Sequence, residues 1–524
     1  MEDYDPATTP GGPTAPLTPA VRALMQERLD AYLERMAAVR PASHADKGTV
    51  FAGSGGRALL LLKLHAATAN ASFLAAANGY VAAMEARLPR QRASDAAAGF
   101  VGFQWSHVGM LCVGAVAAQA NGDDAKADGF AAQVAAAVAS RAGRYDDFDS
   151  GRAGLLYAVR FLEANLKPRM AEVTTAEPTT TEPETAEATA VATTVEATTT
   201  EPETAEATAV ATTVEATTTT TTMPAGAAEG SARRAAAPTP RVPRADVLDL
   251  ALEIIDRGAA TAAAHGAPGI LLWHGPNDGG LWLGQSHGAS GVLQQLLAVP
   301  ELVADHPHRH SHPPSPPPPP PVTTPSLTTA PPSPIQVALV RPDNPRGNAT
   351  ARALLTATFE HIVTSQLPSG NFPTEYYNAT QDYLVQWDHG APGVSAALLA
   401  AADALGDARY TAAAARALEC TWRRGLVLKG LMNCHGIGGN TWMQLHAARA
   451  TRNATYLYRA LAFQRLVLQT PLLSDLASMR QPQPLPDGPW QFWTGSVESA
   501  IELWTDLLYR GPANASETGW EARL

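Results

Sequence analysis

Seven times along the chain a short glycine-containing turn, G-x-x-G or a degraded form of it, is followed at once by about ten apolar or small residues. The turns begin at Gly53, Ser106, Gly151, Gly288, Gly390, Gly436 and Gly495. Between them run stretches such as "TPAVRALMQERLDAYLERMAAV", "ARALLTATFEHIVTSQL" and "ATYLYRALAFQRLVLQ". Their apolar residues return at three- and four-residue steps, the period of a helix with one buried face. The glycine-led stretches have no polar face, so helices formed from them must be buried all round. The pattern predicts an all-α fold of seven hairpins, each an outer amphipathic helix followed by an inner apolar one that starts at the glycine turn. Such hairpins can form an open solenoid or close into an α/α toroid. The lack of polar capping repeats favours closure.

Two intervals are long, 137 residues from Gly151 to Gly288 and 102 from Gly288 to Gly390, and each holds a segment of different composition. Residues 171–244 contain "TTTEPETAEATAVATTVEA" twice in succession. A Thr/Ala/Glu/Pro segment of this kind buries too little apolar surface to offset chain entropy, and disorder is expected. Residues 305–334 hold four histidines and a polyproline run, which favours an extended, hydrated backbone. Both read as insertions that could recruit protein partners. The hairpins then divide as one to three in residues 1–170, the fourth in 245–304, and five to seven in 335–524.

Composition narrows the function. Of 524 residues, 45% are hydrophobic and 17% charged, enough for a large core. A formal net charge of -11 with no concentrated basic stretch argues against nucleic acid as a partner. Small molecules or peptides fit better. No apolar run is long enough to span a membrane, and the start "MEDYDPATTPGG" lacks the features of a secretory signal. A cytoplasmic protein is expected, with Cys112, Cys420 and Cys434 reduced. The Asn-x-Ser/Thr sequons at Asn70, Asn348, Asn378, Asn453 and Asn514 are then chance matches.

In a toroid the inner-helix N-termini open toward one end of the cavity, where exposed N–H groups and helix dipoles would favour an anion. Polar residues gather at the same turns: Asp147 in "DDFDSG", His287 in "QSHG", Asp388 and His389 in "WDHG", Cys434 and His435 in "NCHG". A single histidine before a glycine is usually a cap or surface residue. Three at equivalent places in separate repeats call for a chemical reading.

With "QWDHGAPG", "NCHGIGGN", "LGQSHGASG", "GRAGLLYAVRFL" and "SGNFPTEYYNATQDYLVQW", the chain resembles the lanthionine synthetase C-like family, in particular its eukaryotic branch. The resemblance implies a toroid of seven hairpins and one zinc, held by the Cys of a W-C-x-G turn and the Cys and His of a C-H-G turn. Cys434 and His435 match the second pair. Asp388 stands where the family has its first cysteine. An Asp/Cys/His site with an open position is still chemically sound, with a harder oxygen donor and a tamer bound thiolate. By the same resemblance His287 is the general acid or base, Lys429 contacts glutathione, and Asp147 falls where bacterial members carry a functional aspartate. His389 could also line the cavity. The bacterial arginine before the W-C turn is Leu384 here, and Glu498 replaces the second glycine of the last turn.

The implied activity is addition of a thiol, from glutathione or a peptide, to dehydroalanine or dehydrobutyrine. A non-catalytic glutathione- or peptide-binding scaffold is the alternative that Asp388 favours. An unrelated toroid of glycosidase type would need paired acids, such as Asp147 and Asp388, and would leave the C-H-G turn idle.

Overall fold

The structure, a computed structural model, describes residues 4–5, 8–38, 47–168, 240–276, 279–303, 345–470 and 495–511. The low-complexity stretches at 171–239 and 305–334, together with Asn514, lie outside the described residues.

Fourteen helices carry the described chain. The outer set is α1 (Pro19–Ala37), α3 (Ala71–Ala98), α5 (Asp124–Ser140), α7 (Arg244–Ala264), α9 (Pro345–Thr364), α11 (Ala408–Arg424) and α13 (Ala454–Gln469). The inner set is α2 (Ser54–Thr68), α4 (His107–Ala120), α6 (Arg152–Asn165), α8 (Ala289–Leu297), α10 (Ala391–Leu405), α12 (Ile437–Thr451) and α14 (Ser496–Thr505). The seven glycine-turn residues picked out by the sequence pattern are the N-caps of these seven inner helices. Among the described residues there is no strand, only an isolated bridge between Trp282 and Glu375.

The two sets begin differently. Five outer helices start on side-chain caps: Thr18, Asn70, Asp123, Asp407 and Asn453 each accept an N–H of the first turn. Asn70 and Asn453 thus have a structural use that explains their place at two of the sequons. Inner helices start on glycine, apart from Ser106, and the first N–H groups of α2, α6, α8 and α12 are taken by the turn itself, while those of α4 and α10 go to the side chains of Asp95 and Asn371. Arg152, Ala153 and Gly154 donate to the carbonyls of Tyr145, Asp146 and Asp147, and Ala289 and Ser290 to those of Trp282 and Leu283. The expected row of exposed N–H groups is therefore absent from these helices. Their dipoles remain, but the donors an anion would need are already used.

The G-x-x-G spacing has a steric cause. A Cβ on the second glycine (Gly109, Gly154, Gly291, Gly393 or Gly439) would stand 1.8 to 2.1 Å from the carbonyl oxygen three residues before the cap. Only glycine lets the first turn of the helix sit on its own entry loop.

Each inner helix packs on the next: α2 on α4, α4 on α6, α6 on α8, α8 on α10, α10 on α12, α12 on α14 and α14 on α2. The ring is closed. Inner helices also pack on the outer helix that follows them, as in α2–α3, α4–α5, α10–α11 and α12–α13. The hairpin is thus inner then outer, the reverse of the sequence expectation, and α1 completes the seventh unit by packing on α14 and α13.

Ring closure carries buried charge. Arg57 of α2 donates to Glu498 of α14 at 2.8 Å, and Lys63 donates to Glu502. Glu498, read as a loss of the second glycine, is one half of a buried ion pair. One turn on, Asp506 is 1% exposed, with neither carboxyl oxygen in a hydrogen bond and Arg510 at 3.6 Å. Burial pushes its carboxyl up to about 7, against the pull of Lys63 and Arg510.

Two predictions follow from packing and burial. Gly291→Ala forces a Cβ against a carbonyl 1.9 Å away and should cost about 3 kcal/mol in urea unfolding. Gly129→Ala, at an exposed position of α5 where a Cβ meets nothing within 4 Å, should stabilise by about 0.5 kcal/mol; equal effects at both sites would discount the steric account. For Asp506, the folded carboxyl holds a proton that an unfolded one releases near ~3.9. Stability therefore falls as pH rises from about 4 to about 7. Asp506→Asn should flatten that part of the curve, and an unchanged slope would contradict it.

Candidate metal and proton-transfer site

The turns are joined to one another before any side chain is considered. Two residues before the inner-helix cap stand Phe51, Gln104, Asp149, Ser286, Asp388 and Cys434 in turns one to six; the equivalent in turn seven lies outside the described residues. From the second turn on, the carbonyl at this position accepts an N–H from the preceding turn. The bonds are Phe51 to Gln104 at 2.9 Å, Trp105 to Asp149 at 3.3 Å, Phe148 to Ser286 at 3.1 Å, Gln285 to Asp388 at 3.0 Å and Asp388 to Cys434 at 3.0 Å. Close approach again requires glycine: a Cβ on Gly284 would lie 1.7 Å from the Asp388 oxygen, and one on Gly102 2.4 Å from that of Asp149.

This backbone chain sets Asp388 beside Cys434 and His435. One donor atom from each lies within 4.8 Å of the others, the one such group of three or more among the described residues. His435 Nε2 is 2.8 Å from Asp388 Oδ2 and 3.4 Å from Cys434 Sγ. His389 Nε2 is 3.2 Å from the same Asp388 oxygen, and its ring lies 4.8 Å from that of Trp282 and 6.4 Å from that of His435. Burial alone would raise the Asp388 carboxyl; His389 and His435 outweigh it and hold it well below the usual carboxylate range.

The donor set suits a metal ion. It joins a thiol, an imidazole nitrogen and a carboxylate, and Asp388 Oδ1 is buried with no hydrogen-bond partner. The last inner helix braces the turn: Ser496 accepts from Leu431 N–H and Ser499 from Asn433 N–H, both at 3.1 Å, while Asn433 donates to Glu502 at 3.0 Å. The ion pair that closes the ring therefore also supports the residue before Cys434.

On the neighbouring turns His287 is flanked by acids. Its Nδ1 lies 3.4 Å from Asp147 Oδ2 and its Nε2 3.8 Å from Asp149 Oδ2. Burial lowers the imidazole, but the hydrogen bond to Asp147 and the charges of Asp149, Asp388 and Asp147 raise it to about 10. Asp147 is itself held by Ser150, whose N–H and hydroxyl each donate at 2.9 Å. Lys429, partly buried on the loop before Cys434, donates to Gln386 at 3.3 Å. All seven residues singled out from the sequence thus lie on turns three to six. Asp149 was missed. The repeat register pointed to it, since it occupies the position of Asp388 and Cys434, but three aspartates in "DDFD" obscured it.

A model of the lanthionine synthetase C-like protein family matches residues 44–203 and 333–479, more than half of the chain. The chain belongs to this family. It is 34% identical over 131 residues to glutathione S-transferase LANCL1 of Danio rerio, covering 25% of this chain and 32% of that protein. It is 31% identical over 167 residues to LanC-like protein GCL1 of Arabidopsis thaliana, covering 31% and 36% respectively. The aligned stretches span about a third of the length of these curated relatives. Among solved structures, nisin cyclase is similar in fold, with a TM-score of 0.51 over 96% of this chain and 98% of that one at 10% identity. The lanthionine synthetase C-like chain is accordingly an α/α toroid. No helix among its described residues is long and apolar enough to cross a membrane.

If the three donors form one site, Cys434→Ala and Asp388→Ala should each abolish a near-stoichiometric metal content seen in the wild type by elemental analysis. Retention of the metal in either folded variant would remove that residue from the site.

Proposed function

We propose that this chain is a zinc protein that adds a cysteine thiol, of glutathione or of a peptide, to dehydroalanine or dehydrobutyrine and so forms a thioether. The observation that carries this reading is that the turns of Asp388, Cys434 and His435 belong to one chain of backbone hydrogen bonds with those of His287 and Asp147. Asp388, Cys434 and His435 would hold the metal. Zinc bound there lowers the pKa of a thiol that reaches it, so that the thiol reacts as thiolate.

The chain's own groups supply the rest. Sulfur adds to the β-carbon, the double-bond electrons move to the α-carbon, and His287 delivers a proton there as general acid. The proton given up by the thiol balances the one delivered. Asp147, fixed by Ser150, keeps the imidazole oriented. Cys434 and Asp388 are 2% exposed each, so little of either side chain faces solvent. Lys429 is placed on the loop that leads to Cys434, where its ammonium can meet a glutathione carboxylate. A reduced Cys434 suits a cytoplasmic setting.

Asp388 favours a second reading, a glutathione- or peptide-binding scaffold without turnover. A carboxylate donor leaves the metal harder and a bound thiol less nucleophilic than two thiolates would. The experiment is glutathione addition to a dehydroalanine peptide by the metal-loaded protein, followed by mass spectrometry. Thioether should form, and His287→Gln should slow it by about 100-fold or more. Glutathione binding without adduct would reject the enzyme and support the scaffold.

A further inference from the structure

Two carboxylates bracket one imidazole in this site, and only one of them has a role so far. Asp149 occupies the same place in turn three that Asp388 and Cys434 occupy in turns five and six, and its carbonyl is bonded into the same backbone chain. It is 1% exposed. Its Oδ2 accepts the hydroxyl of Ser286, the residue before His287, and faces His287 Nε2 at 3.8 Å. Its Oδ1 is buried with no hydrogen-bond partner. Asp147 approaches the opposite nitrogen, and both of its oxygens already accept from Ser150.

A neutral imidazole carries one N–H, and a carboxylate on a single edge fixes which nitrogen holds it. Carboxylates on both edges favour two N–H groups. We propose that Asp149 is a positioning residue that holds the second proton on His287, so that the imidazole enters thiol addition as a charged acid and not as a base. Its use in thiol addition rests on the proposed function; the protonation does not.

The acidic groups facing His287 are Asp147 and Asp149 from turn three and Asp388 from turn five. Burial pushes Asp149 up to about 7, against the pull of His287 and Ser286. A charged His287 and an ionised Asp149 each favour the other. In the reaction the Nε2 proton passes to the α-carbon as the sulfur–carbon bond forms, leaving a neutral imidazole protonated on Nδ1 beside Asp147. The proton lost by the thiol returns to Nε2, and no other reactant is needed.

The test is the titration of His287 in protein labelled with 15N-histidine, its signal identified by its loss in His287→Gln. In the wild type both nitrogens should stay protonated at pH 8. In Asp149→Asn the midpoint should fall by at least one pH unit, a tenfold loss of proton affinity, and Asp149→Glu should restore most of it. The alkaline fall in thiol addition should move toward neutral pH in step with the titration. A midpoint unchanged in Asp149→Asn but lowered in Asp147→Asn would overturn the proposal, and Asp149→Ala provides the same reading if the asparagine variant does not fold. A shifted titration with no turnover in any variant would count against thiol addition and leave this inference standing.

Discussion

The structure depends on one repeated contact, the hydrogen bond from a backbone N–H in one glycine turn to the carbonyl two residues before the next inner-helix cap. A buried amide or carbonyl left unbonded costs about 1–3 kcal/mol, and the turns solve this collectively. The turns before α2, α6, α8 and α12 satisfy their own helix starts with their own carbonyls, and from the second turn to the sixth the carbonyl at this position satisfies the neighbour. Both requirements bring backbone against backbone, which explains why glycine recurs at the second place of the motif and again at Gly102 and Gly284. Because the carbonyl at the shared position is fixed, the adjoining side chain is fixed too, and the chemistry of the site is read out at a single register.

Closing the ring imposes a different constraint. Inner helices made only of small and apolar residues can slide against one another, since their contacts are weakly directional. The pair that closes the ring, α2 and α14, instead carries Arg57, Lys63, Glu498 and Glu502 in buried ion pairs. Such pairs are poor sources of net stability but strict about geometry, since separating the partners leaves charge in a dry interior. Here the register they select reaches the turn of Cys434, because Glu502 also holds Asn433, the residue before Cys434.

The sequence was most legible where chemistry and period coincided. All seven inner-helix starts could be read from local pattern, which also marked Asp147, His287, Asp388, His389, Cys434 and His435 as polar residues of the turns. Their grouping into a metal set and an acid was implied by the family resemblance and not by the pattern. What escaped was non-local. That α1 would pack on α14 depends on closure between the two ends of the ring, which no local period encodes. Glu498 looked like a worn motif because its partner, Arg57, lies 441 residues away. The expected anion site failed for a subtler reason: the pattern shows where helices begin but not that the entry loop consumes the first N–H groups.

An aspartate at position 388 is easier to understand in this light. The turn needs the residue at this position for its N–H and its carbonyl, which any amino acid other than proline supplies. Gln104, Asp149, Ser286, Asp388 and Cys434 all supply the backbone chain with a carbonyl. The side chain is therefore constrained by what surrounds it and not by the fold. For an aspartate those surroundings are favourable, since two histidines offset the cost of burying its charge. Exchanging a thiol for a carboxylate at such a position would leave the architecture intact and change only the hardness and charge of the side chain. A toroid built this way separates what holds the turns together from what reacts within them, so chemistry at the shared position can vary while the ring does not.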